Sequence, residues 1–143
     1  MILEWRNHPS VRANMYNMAI ISEEEHLAFI DSLRQKDDKR YFLVQEGKEA
    51  VGVIDFNSIS NISTKLGIYA NPFRTQKGTG TLLMQTLIAY AFDVLKTPTL
   101  EAEVFAHNEK AIHLYIKFGF QEKFRRFINE KEIICMELDN ENR

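Results

Sequence analysis

The chain has 143 residues, 45% of them hydrophobic and 27% charged, with a formal net charge of −2. That is enough chain to bury a core of its own, and Lys and Arg are scattered among the acids without the basic stripe that nucleic acid requires. Cys135 is the single cysteine, which excludes an internal disulfide framework, and the longest apolar runs fall well short of the ~18 residues of a membrane-spanning helix.

The opening "MILEWRNHP" has no basic leader followed by an apolar stretch. The expected location is therefore the cytoplasm, with neither membrane nor nucleic acid as a partner; oligomeric state is not legible, which leaves a homodimer open. In "SEEEHLAFIDSLRQ", Ser22 and Glu25 form a capping box, and His26, Phe29, Ile30 and Leu33 fall on one helical face. "RYFLVQEGKEAVGVIDF" reads as two strands joined at Glu46-Gly47-Lys48, and "TKLGIYA" as a third, ended by Asn71-Pro72. Met84, Leu87, Ile88, Ala91, Phe92 and Leu95 make the apolar stripe of one long helix that stops before Pro98. "LEAEVF" alternates Leu100, Ala102 and Val104 against Glu101, Glu103 and Phe105, the pattern of a half-buried strand. Asn108 caps a further helix with inner face Ala111, Leu114, Tyr115 and Phe118, and Gly119 ends it. "FRRFINEKEIICMEL" closes the chain as a hairpin turning near Asn129 to Lys131, with Cys135 as a small buried hydrophobe. The fold class is α/β: about six strands with helices packed on both sides.

Between the third strand and the long helix lies "RTQKGTGTLLM". A strand, a glycine-rich turn and a helix start together present free backbone N–H groups and a partial positive charge to an anion. Gly78 and Gly80 let the backbone approach phosphate oxygens, Lys77 adds a full charge, and Thr79 and Thr81 add hydroxyls. The order is wrong for a Walker A loop, because Lys77 precedes Gly78, and Leu83 stands where a dinucleotide fingerprint wants its third glycine. A turn that merely starts a helix tightly is the plainer reading of the same residues.

Two blocks resemble the GNAT N-acetyltransferase superfamily: "LGIYANPFRTQKGTGTLLMQTLIAYAF", similar to its strand, pyrophosphate loop and helix, and "VFAHNEKAIHLYIKFGFQ", similar to its Asn and "KAI-x-x-Y-x-K-x-GF" signature. They span positions 66 to 121 in the family's order. Thr75 departs from the loop pattern, which usually has Arg or Gln there, and a conventional first strand is short or missing. The resemblance implies a GNAT-like mixed central sheet with helices on both faces, in one acetyltransferase domain over 1–143. Residues 1–40 would supply acceptor-side helices, and 41–143 the sheet and acetyl-CoA-binding core. It further implies acetyl-CoA as co-substrate and no metal. The pyrophosphate would lie on the amides of Gln76, Lys77, Gly78, Thr79, Gly80 and Thr81. The pantetheine would run along Ile68, Tyr69 and Ala70 and meet Asn108, with Tyr115 near the thioester sulfur; a core-filling tyrosine is the alternative at that position.

No residue pair offers a covalent relay with an adjacent base, so direct transfer to a neutral amine in a ternary complex is expected. Asp55 ends the alternation Val51, Val53, Asp55 and is the candidate base; a strand-closing residue and a water chain are the alternatives, and Glu101 and Glu103 share a face nearby. Arg6 and Arg12 could bind phosphate, Met15, Tyr16 and Phe29 could offer an apolar wall, and His26 points either into a pocket or into the core. "RNHP", "MY", "EEHLAFI", "RYFLV" and "GIYANPF" resemble the GNAT branch of the pseudaminic acid pathway, which acetylates the 4-amino group of a UDP-4-amino-4,6-dideoxy-N-acetyl hexose. By that likeness Arg6, Met15, Tyr16, His26, Phe29 and Tyr69 line a nucleotide-sugar pocket. A ribosomal-protein or peptide N-terminal acetyltransferase is the alternative, and a non-catalytic CoA-binding module a third reading.

Overall fold

The computed structural model describes residues 1–13, 15, 20–33, 38–74 and 77–142. Three helices come first: α1 (Ile2–Asn7), α2 (Pro9–Arg12) and α3 (Glu23–Leu33). The strands β1 (Arg40–Glu46), β2 (Glu49–Asn57) and β3 (Thr64–Ala70) follow, then α4 (Thr79–Ala89), β4 (Thr99–Phe105), α5 (Glu109–Lys117), β5 (Gln121–Ile128) and β6 (Lys131–Asp139). Among the described residues no strand precedes Arg40, and no helix is long and apolar enough to cross a membrane.

The six strands form one mixed sheet in the order β1-β2-β3-β4-β6-β5. Neighbours are antiparallel except β3 and β4, which run parallel. Among the described residues, that parallel pair has two rungs, Thr64 with Leu100 and Lys65 with Glu101, and beyond them the strands part. Directly paired residues share a face of a sheet. Tyr41, Asp55 and Gly67 therefore lie on one side, and Phe42, Ile54 and Ile68 on the other.

The Ile54 side holds the main core. Ile54, Phe56, Leu66, Leu100, Ala102, Val104 and Met136 pack there against Leu83, Met84 and Leu87 of α4 and Tyr115 of α5. Each large apolar side chain buried in this way contributes roughly 1.5–3 kcal/mol. The Asp55 side carries the N-terminal helices, where the Phe29 ring stands edge-on to Tyr41 with centroids 5.1 Å apart. The Ser22 cap of α3 forms as its spacing predicts, with Glu25 N–H donating to Ser22 Oγ at 3.1 Å, but the return arm differs from a full capping box: Glu25 Oε1 accepts from the Ser22 hydroxyl at 3.2 Å.

The expected hairpins form as well. Gly47 takes φ +62° in the first turn, and Asn129 and Glu130 take φ +50° and +67° in the second. One expectation needs revision. The apolar stripe from Met84 to Leu95 predicts a single α-helix, but Tyr90–Val94 continue as a wider π-turn in which Leu95 N–H donates to the Tyr90 carbonyl at 3.0 Å. The extra residue per turn changes the hydrogen-bond ladder while Ala91 and Phe92 remain buried, so the apolar period does not report it.

Candidate active site

The parting of β3 and β4 opens a cleft of about 440 Å3. Leu66, Gly67 and Ile68 form one wall, Glu103, Val104 and Phe105 the other, and Asn108, Ala111 and Tyr115 reach it from α5. Asn108 also caps α5, its Oδ1 accepting from Ala111 N–H at 3.3 Å. Tyr115 is buried and tilted against Phe120 at 5.2 Å, and it lines the cleft too. Packing and cleft-facing positions are thus combined in one tyrosine.

The glycine loop follows β3 at the open end of that cleft. Gly78 has φ +85°, a conformation that strains any residue with a β-carbon, and α4 begins at the next residue. A β-carbon on Gly80 would lie 3.3 Å from Leu114 Cδ2, so this glycine also lets the first turn of α4 approach α5 closely. Thr79, Gly80 and Thr81 therefore present the amides of a helix N-terminus, with Lys77 just before them. Lys117 of α5 donates from Nζ to Thr81 Oγ1 at 3.1 Å, a second lysine at this helix start that the spacing along the chain does not expose. Gln76 lies outside the described residues. Arg74 points back to the β1–β2 hairpin and pairs with Glu46 at 3.5 Å and Glu49 at 3.7 Å.

On the Asp55 face the N-terminal helices enclose a second cavity, of about 480 Å3. Arg6, Met15, His26, Phe29 and Tyr69 all line it, which gathers the expected acceptor residues from α1, α3, β3 and the connection before α3. Tyr16 lies outside the described residues. Burial lowers the pKa of Arg6, and the neighbouring Arg12 charge adds to that, while Tyr69 opposes it. Burial, helped by the Asp55 charge, pushes the Tyr69 hydroxyl up to about 12 and also raises Tyr41, which lines the same cavity.

Asp55 belongs to this cavity and is only 8% exposed. Burial pushes its carboxyl up to about 6, partly offset by the hydrogen bond that Asn57 Nδ2 donates to Oδ1 at 3.3 Å and by the Lys39 charge. Its cross-strand partner is Gly67, on the wall of the cleft, and Met15 lines both spaces. The carboxylate therefore stands at the seam between the two cavities. Glu101 and Glu103 do share a face, the Asp55 side of the sheet, but Glu103 is bound by Lys65 at 2.9 Å and by Arg126. Cys135, opposite Glu103 on β6, is buried and its thiol is raised by burial and by the Glu103 charge, as suits a packed cysteine. Among the described residues no group of three or more His, Cys, Asp or Glu could hold a metal ion.

Chemically, a backbone anion cradle leads into a cleft whose inner end meets a buried carboxylate and a cavity with arginine and aromatic walls. That arrangement suits a long phosphorylated donor on one side of the sheet and a separate acceptor on the other. The family model described as Acetyltransferase (GNAT) family matches residues 2–120. Acetyltransferase PseH of Campylobacter jejuni subsp. jejuni serotype O:23/36 is 45% identical over 115 residues, 80% of this chain and 71% of that protein. Spermidine N(1)-acetyltransferase of Escherichia coli K12 is 30% identical over 106 residues, 68% of this chain and 57% of that protein. The crystal structure of Campylobacter jejuni N-acetyltransferase PseH in complex with acetyl coenzyme A has a TM-score of 0.76 at 36% identity, covering 98% of this chain and 88% of that one. Spermidine N-acetyltransferase from Vibrio cholerae in complex with CoA and spermine has a TM-score of 0.90 at 22% identity, covering 99% and 89%, a likeness of fold.

Proposed function

The chain belongs to the GNAT acetyltransferase family, and on that footing we propose that it acetylates the 4-amino group of a UDP-4-amino-4,6-dideoxy-N-acetyl hexose from acetyl-CoA, in pseudaminic acid biosynthesis. The observation that carries this reading is the meeting of the two cavities at Asp55 and Gly67. The cleft fits a pantetheine arm between parted strands, and the amides of Gly78 to Thr81 with Lys77 suit its pyrophosphate. Arg6 and His26 supply donors for an anionic nucleotide, and Met15, Phe29 and Tyr69 an apolar wall for the deoxysugar.

Asp55 takes the proton from the attacking amine, whose lone pair forms the new bond to the carbonyl carbon. A backbone N–H of the Ile68–Ala70 segment donates to the developing oxyanion. Tyr115 gives its proton to the sulfur as the carbon–sulfur bond breaks, and Asn108 orients the arm. No side chain carries the acetyl group in between. On this reading the activity is assigned to the cytoplasm.

Thiol release from acetyl-CoA, followed with the UDP-4-amino sugar, spermidine and free-N-terminus peptides in parallel, tests the reading. Turnover with the sugar alone is the expected result. Turnover with spermidine or peptides instead would overturn the acceptor assignment, and an acetyl mass retained on enzyme incubated with acetyl-CoA alone would overturn direct transfer.

A further inference from the structure

The inner end of the cleft is crossed by an ion pair. A thioester arm that enters from the glycine loop runs toward the last paired rung of β3 and β4, Lys65 with Glu101. On the acceptor face of that rung, Lys65 Nζ reaches across to Glu103 Oε1 at 2.9 Å, and both residues line the cleft. Arg126 of β5 holds the same carboxylate from the other side. The Glu103 side chain is only 15% exposed and is held by two cations whose own side chains reach the solvent. The core side of the cleft is filled by Leu66, Val104 and Tyr115.

We propose that the Lys65–Glu103 bridge is the stop that selects acetyl over longer acyl groups, an inference that rests on the acetyl-CoA reading above. A thioester held with its sulfur beside Tyr115 and its carbonyl near Gly67 would direct a longer acyl chain toward Lys65 and Glu103, which line the same cleft. Each added methylene would press on a carboxylate bound by two cations. Bulk held in place by charge is an effective discriminator against propionyl- and butyryl-CoA, which differ from acetyl-CoA by one and two methylenes.

The test is donor binding without any acceptor: calorimetric affinities of acetyl-, propionyl- and butyryl-CoA for the wild-type chain and for Glu103→Ala. The wild type is expected to bind the series with falling affinity. Glu103→Ala should raise the butyryl-to-acetyl affinity ratio about tenfold or more, the discrimination typical of a methylene-sized difference in a pocket. An unchanged ratio overturns the stop. If Glu103→Ala does not fold, Lys65→Ala is judged by the same ratio. Weak binding of every CoA thioester to the wild type would sink the functional reading, whereas tight binding blind to chain length sinks only the stop.

Discussion

The carboxylate of Asp55 stands over the α-carbon of Gly67 on the neighbouring strand, so close that a β-carbon at position 67 would lie 2.6 Å from Asp55 Cγ. The missing side chain lets one acid be buried against the sheet beside the strand that walls the cleft. Gly67→Ala should therefore cost about 1–3 kcal/mol of stability, the usual penalty of overpacking, and should lower turnover by pushing the carboxylate aside. Chemical denaturation of Gly67→Ala, Asp55→Ala and the double variant checks it. The double variant should cost less than the sum of the two, and strict additivity would show that the residues do not meet as described.

Asp55 carries a second signature. Its carboxyl is raised from the ordinary value of 3.8 to about 6, chiefly by burial. A base with that value makes kcat/KM climb as pH rises through about 6 and then level off, and Asp55→Asn should abolish this limb along with roughly 10²–10⁴ of the rate. The stability effect has the opposite sign. A carboxyl whose folded value is raised favours the folded state while protonated, and that contribution is lost as pH rises from 3.8 through about 6. The difference amounts to about 3 kcal/mol at full ionisation. Thermal melts at pH 8 should accordingly show Asp55→Asn to be more stable than the wild type. A variant both less active and less stable at pH 8 would assign Asp55 to structure.

Tyr115 separates catalysis from packing in one atom. The ring is buried against Phe120, and Tyr115→Phe keeps the ring while deleting the hydroxyl. The expected result is a fall in kcat of about 10²–10⁴ with acetyl-CoA affinity unchanged. Unaltered kcat would leave the ring as core filling.

Much of this site is legible along the chain because it is built from local motifs. The glycine loop, the Asn108 cap and the Tyr115 face each sit within one element and its flanks, and their local signals agree. The relation of Asp55 to Tyr41 is different. Counting back from the turn, Glu46 pairs with Glu49 and Gln45 with Ala50, a register that would put Tyr41 opposite Ile54 on the core side. A bulge between Val44 and Gln45 shifts the pairing by one residue, so Tyr41 meets Asp55 on the side opposite the main core. No residue type in "FLVQEGKEAVG" announces that bulge. Gly67 is hidden for a similar reason, since a glycine inside a strand marks a close approach without naming what approaches. Lys65, Glu103 and Arg126 come from three strands, and only the sheet order brings them together.

Arg6 decides the acceptor half of the reading. It lines the cavity beneath α1 and α3 with a guanidinium that burial has partly stripped of water, so an anionic group arriving there gains more from it than from an exposed cation. Charge-assisted hydrogen bonds of this kind contribute about 1.5–3 kcal/mol, which corresponds to roughly a ten- to hundredfold change in binding. Arg6→Ala should raise KM for the nucleotide sugar by that factor while leaving acetyl-CoA affinity as it is. Arg6→Lys should recover part of the loss, because an ammonium keeps the charge without the planar fork that matches a phosphate. Steady-state kinetics with each substrate varied separately provides the check. If Arg6→Ala weakens acetyl-CoA and spares the sugar nucleotide, the phosphates of the acceptor lie elsewhere and the cavity beneath α1 and α3 has been given the wrong occupant.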